Sequence, residues 1–152
     1  MRPIDSGRTR LRFTAAVLAA VAVMVLTGCS GGIAQDLLDP MEQARSAVRS
    51  DQLVFDLLAQ GRVSISLAQT VLKTMTDELI SAEESIISAE PSSQGDEPLR
   101  DAALAAAREA TSASVAGRDC LSQESSCATA IEELQASAEA LQEVLDQLQG
   151  SR

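Results

Sequence analysis

The reactive groups in this chain are carboxylates and thiols. Its 152 residues include 22 Asp and Glu, 12 Lys and Arg, three Cys, and no His, Trp or Tyr, for a formal net charge of −10. Without imidazole there is no His general base, no Ser–His or Cys–His nucleophile pair, and no His-containing zinc, copper or haem site. Phe13 and Phe55 are the only aromatic residues, so there is no platform on which bases or sugars could stack. The acidic balance argues against nucleic acid as a partner, because phosphate contacts dominate that affinity. The carboxylates gather in two places: Asp77, Glu78, Glu83 and Glu84, then Glu132, Glu133, Glu139 and Glu143. Di-iron bundle sites need inward-facing Glu-x-x-His pairs, and these acids mostly avoid the apolar stripes around them. They read as solvated faces. A weak divalent-cation site or a carboxylate-pair hydrolase is the competing reading. No catalytic residue, metal site or cofactor is expected.

The thiols carry more information. Cys29 follows a distinctive N-terminus. Arg2, Arg8, Arg10 and Arg12 make a basic start, and an unbroken apolar run covers Ala15 to Leu26. Twelve residues span roughly 18 Å as a helix, short of a hydrocarbon core of about 30 Å. A basic start, a short apolar stretch and small residues after it describe an export signal. No Arg-Arg pair is present, so a twin-arginine route is not expected. The signal ends in Leu26-Thr27-Gly28-Cys29, which resembles the lipobox of bacterial lipoproteins. The resemblance implies that Leu26, Thr27 and Gly28 are read by a signal peptidase, that the Cys29 sulfur carries a diacylglycerol, and that Cys29 becomes the mature N-terminus. A conventional secretory signal with a nearby Cys is the alternative. The resemblance covers residues 1–29 only. Beyond it, the Ala-rich body is similar in style to small helical lipoproteins of actinobacteria, and no motif there names a function.

This divides the chain into a signal at 1–28, a lipidated Cys and tether at 29–32, and a folded domain at 33–152. Removing residues 1–28, with four Arg and one Asp, leaves 124 residues, 8 basic and 21 acidic, and a net charge of −13. Acyl chains contribute about 0.8 kcal/mol per buried methylene, so two or three anchor firmly. Ser30, Gly31 and Gly32 are a flexible tether. A body this acidic is repelled by anionic headgroups and should stand off the bilayer. The expected location is the extracytoplasmic face of the cell membrane.

In that oxidising setting, Cys120 and Cys127 read as one disulfide. Residues seven apart on a straight helix are separated by roughly 10.5 Å, and a disulfide needs Cα atoms within about 7 Å. The chain must therefore turn between them. Gly117 is the expected C-terminal residue of the preceding helix, and Gly117 to Cys127 the polar, stapled turn: a rigid corner or a recognition loop.

The elements that would position these groups are helices. Ile33 to Leu58 carries Leu37, Met41, Ala44, Val48, Phe55 and Leu58 on one face, interrupted by Asp51. Asp51 is expected at the rim of the stripe, or else in a polar contact with Arg45, Arg49 or Arg62. Arg45 and Arg49 form a small basic spot on an acidic protein, read as solvated, or as a contact for an acidic partner. Gln60-Gly61-Arg62-Val63 reads as a helix–helix turn with Gly61 as a left-handed cap; one helix of nearly sixty residues is the alternative. Ser64 is a suitable N-cap for a second helix, whose seam is Ile65, Ala68, Leu72, Met75, Leu79, Ala82, Ile86 and Ala89, with Pro91 as its stop. The stretch from Glu90 to Pro98 is a loop. A third, alanine-faced helix is expected from Pro98 to about Ala116. The fourth has a stripe of Cys127, Ile131, Leu134, Ala138, Leu141, Leu145 and Leu148, ended by Gly150.

Four helices with short connections predict an all-α, antiparallel up-down four-helix bundle, two αα-hairpins in sequence. The expectation for function is a non-enzymatic lipoprotein that acts as a scaffold or binds a protein partner, with the membrane reached through its anchor. The second expectation is a carrier that holds a small apolar ligand or lipid in a groove along the alanine-faced helix.

Overall fold

A computed structural model describes residues 32–123 and 126–150. These form four α-helices: α1 (Ile33–Ala59), α2 (Ile65–Ser88), α3 (Asp96–Ser122) and α4 (Ala128–Gly150). They pack as a four-helix bundle with no strand among the described residues. At 1.5 Å per residue the helices are about 35–40 Å long.

The antiparallel register can be read from cross-helix hydrogen bonds. Gln43 on α1 donates to Glu78 on α2, Gln69 on α2 to Ser122 on α3, and Arg45 on α1 to Gln142 on α4. Gln69, near the start of α2, meets Ser122 at the end of α3, and Gln43 and Arg45, before the middle of α1, meet Glu78 and Gln142, past the middle of α2 and α4. α1 also touches α3 across the diagonal, whereas α2 and α4 do not meet among the described residues. The flattened section follows from the sequence of α3. Its inward face is Ala103, Ala106, Ala107, Ala110, Ala113, Ser114 and Gly117, and a face without long side chains lets a neighbour come close. The larger core residues, including Leu37, Met41, Val48, Leu72, Leu79, Ile86, Leu134, Leu141 and Leu145, fill the space on either side.

The punctuation is local chemistry. Gly61 sits at φ +68°. Its N–H bonds to Leu58 O and that of Arg62 to Leu57 O, both at 2.9 Å. That double bond is the Schellman arrangement, which requires a left-handed residue that glycine adopts without strain. The chain therefore turns at Gly61 and α1 is not continuous with α2. Ser64 caps α2 by accepting from Leu67 N–H at 3.2 Å. α2 ends at Ser88, two residues before the Glu90–Pro91 bond, because a residue preceding proline avoids helical geometry.

Three boundaries differ from expectation. α3 begins at Asp96, before Pro98, and Asp96 Oδ2 organises the entry by accepting from Ser92 N–H, Ser93 N–H and the Ser92 hydroxyl at 2.9–3.0 Å. The Ser92 hydrogen bonds, offset by a small desolvation cost, hold the Asp96 carboxyl below its ordinary value. At the other end α3 does not stop at Ala116. It continues through Gly117 and Cys120 to Ser122, so Gly117 is a helix-interior residue and the turn is much shorter than Gly117 to Cys127. Finally, Ile65 leaves the α2 seam and is 51 % exposed, whereas Ala68 in the same turn is fully buried.

Candidate functional site

Two features concentrate polar chemistry in an otherwise aliphatic bundle: the Cys120–Cys127 corner, and a polar layer in the core.

Cys120 is on the last turn of α3 and Cys127 immediately precedes α4. Their sulfurs are bonded, with Cα atoms 5.4 Å apart. The chain does turn between them, as the spacing required, but the helix supplies Cys120 itself and the change of direction falls after Ser122. One turn below, Gly117 is buried because the Phe55 ring of α1 occupies the place of its missing side chain. A Cβ built there would lie 3.0 Å and 3.1 Å from Phe55 Cε2 and Cζ. The glycine is thus a seat for a ring on another helix.

Beneath that ring is the polar layer. Asp51, Thr76 and Ser114, one each from α1, α2 and α3, are 0 %, 4 % and 0 % exposed. Asp51 is therefore not at the rim of its stripe, and no arginine among the described residues meets it: Arg45 donates to Gln142 on α4 at 3.0 Å, and Arg49 and Arg62 are exposed. Neither Asp51 carboxylate oxygen has a hydrogen-bond partner among the described residues. Burial pushes the Asp51 carboxyl up to about 7, the opposing influence being a hydrogen bond from Ser114. Ser114 is near enough to exert that pull, but its hydroxyl is paired with Thr76 at 3.0 Å and is not aligned on either Asp51 oxygen. Thr76 donates in turn to the Leu72 carbonyl at 2.8 Å. Ser137 on α4, 3 % exposed, bonds its own helix at Leu134 O. The sequence seams do not include Thr76, Ser114 and Ser137: Thr76 and Ser137 bond their own helix backbone, Ser114 bonds Thr76, and a small hydroxyl satisfied in this way buries almost like alanine and leaves no periodic signal.

The acidic residues face water. Asp77, Glu78, Glu84, Glu132, Glu133, Glu139 and Glu143 are exposed. Glu83 is half-buried, where it accepts from Thr111 and pairs with Arg108 at 3.8 Å, tying α2 to α3. Among the described residues no three His, Cys, Asp or Glu side chains converge on a point that could hold a metal ion, and no helix is long and apolar enough to cross a membrane. The alanine face of α3 is buried against its neighbours. Leu26, Thr27, Gly28 and Cys29 lie outside the described residues.

Fold and site together define an all-α bundle of two αα-hairpins, stapled between its third and fourth helices and holding one acid in its core. No family model, curated protein or solved structure matches the chain.

Proposed function

We propose that the protein is an extracytoplasmic lipoprotein whose helical bundle is a non-enzymatic scaffold or binding partner held at the cell membrane by an acylated Cys29. The observation that carries this is the sequence Leu26-Thr27-Gly28-Cys29 directly after a basic start and a 12-residue apolar run. Two features agree with it. A disulfide between Cys120 and Cys127 suits an oxidising compartment. The bundle begins at Ile33, four residues past Cys29, so that Ser30, Gly31 and Gly32 remain as the link between lipid and fold. The acidic, largely exposed carboxylates then face the aqueous side and keep the body off anionic headgroups.

The test is fractionation of cells that express the full chain or its Cys29→Ser variant, with metabolic labelling by a fatty acid. The wild type is expected in the membrane fraction and labelled. Cys29→Ser is expected to lose the label and the membrane association together. A variant that stays membrane-bound refutes the anchor. For the partner role, crosslinking in intact cells should capture a defined protein; a bundle that captures none and co-purifies with lipid is a carrier instead.

A further inference from the structure

We propose that Asp51 is a proton-gated lock of the bundle: as a neutral acid it completes a relay of hydroxyl groups that ties α1, α3 and α2 together, and as a carboxylate it breaks that relay. This rests on the described bundle and is independent of the anchor.

The Thr76 hydroxyl has a single proton, and it is directed to the Leu72 carbonyl. The 3.0 Å contact between Thr76 and Ser114 must then use the Ser114 proton, so Ser114 Oγ donates to Thr76 Oγ1. Ser114 is left with only lone pairs to offer Asp51. A protonated Asp51 can donate to them after a rotation about its soft terminal torsion. An ionised Asp51 has no proton to give and meets an acceptor. It could be satisfied only if Ser114 turned away from Thr76, which gives up the link between α3 and α2. The carboxylate would otherwise stay buried and unpaired, a state that proteins avoid by neutralising the group or by opening.

Among the described residues no other charge relieves it. On α1, Arg49 and Asp56 are exposed and Arg45 is committed to Gln142. On α2, exposed Lys73 and Asp77 pair with each other at 2.9 Å. On α3, Arg118 lies beside Asp119 at the surface, and Arg108 pairs with Glu83. On α4, Glu132, Glu133 and Glu139 are exposed. Burial is the larger force on Asp51; the Ser114 hydroxyl lowers its pKa only by turning from Thr76 to donate to the carboxylate, which is the broken state of the relay.

The sign follows. The folded state holds the Asp51 proton up to about pH 7, whereas the unfolded chain releases it near the ordinary 3.8. Between those values the folded state binds more protons, so this group makes stability fall as pH rises, and its effect levels off above about 7. The slope approaches tenfold in the folding constant per pH unit. A bundle anchored outside the cell would thus be tight in mildly acidic surroundings and looser in neutral ones.

The experiment has two parts, both on the full-length protein. Carbon-13 NMR of the Asp51 carboxyl, titrated in the wild type, should show a midpoint near 7; a midpoint near 4 overturns the proposal, as it would mean that water or a neighbour already satisfies the carboxylate. Urea midpoints of wild type, Asp51→Asn and Asp51→Leu should then be compared at several pH values. Asn copies the neutral acid and its donor; Leu removes the group. Relative to both variants the wild type should lose on the order of a hundredfold in its folding constant between pH 5 and pH 7. Parallel pH profiles for all three overturn the lock.

Discussion

Gly117 offers a sharp test of the packing, because two effects of known size oppose each other there. In the interior of a helix, replacing glycine with alanine normally stabilises by about 1 kcal/mol. Gly117 is nearly a full turn and a half from the end of α3 at Ser122, so that gain should apply in full. Against it, the new methyl would sit 3.0–3.1 Å from two ring carbons of Phe55, where relaxed carbon contacts are about 3.5–4.0 Å. The ring would have to retreat by about half an ångström. Phe55 is 6 % exposed, and Leu134 Cδ1 of α4 lies 3.8 Å from the same Cβ position, so there is little room for adjustment. Overpacking of this kind costs about 1–3 kcal/mol. Gly117→Ala should therefore destabilise by about 1 kcal/mol net. The decisive measurement is a double-mutant cycle with Phe55→Leu, followed by urea denaturation with far-ultraviolet circular dichroism. With the ring gone, the same Gly117→Ala change should stabilise by up to about 1 kcal/mol, giving a coupling of about 2 kcal/mol. If Gly117→Ala stabilises the wild type by its full helical gain, or if the two changes simply add, the ring does not sit on the glycine.

Two further changes have defined outcomes. Replacing both Cys120 and Cys127 with Ser reopens an eight-residue loop and should cost about 2–3 kcal/mol in the chain-entropy account while preserving helicity; reduction of the wild type should lower its melting temperature to match. Gly61→Ala places a Cβ at φ +68°, where it meets no neighbour, so the loss should be the backbone penalty alone, about 1 kcal/mol by equilibrium unfolding.

The sequence was a good guide wherever one helix determines its own fate. The spacing of Leu72, Leu79 and Ile86, the Ser64 cap and the left-handed Gly61 are all consequences of neighbours a few residues away, and all appear in the structure. It misled where a residue's role is set by another helix. A glycine that ends a helix and a glycine that receives a ring look the same in one chain, which is why Gly117 read as a stop. A lone acid on an apolar stripe is usually pushed to the edge by its charge. Asp51 instead lies in the core, near Ser114 on the small face of α3, a neighbour 63 positions away in the chain. The Leu26-Thr27-Gly28-Cys29 sequence is of another kind: it lies outside the described residues, and the lipobox reading proposed for it does not depend on the bundle that follows.

The order of helices in this bundle also has a kinetic side. Each of α2, α3 and α4 docks on a helix that directly precedes it, through connections of a few residues. Such contacts form early, since little chain must be closed to make them. The exceptions are the diagonal contact of α1 with α3 and the seam between α1 and α4, where Gln52 donates to Leu134 O and Arg45 to Gln142 across 82 and 97 positions. That seam closes the ring of helices and has to wait for the whole chain. It is the natural last step of folding and, by the same reasoning, the place where a brief opening would first let water reach Asp51.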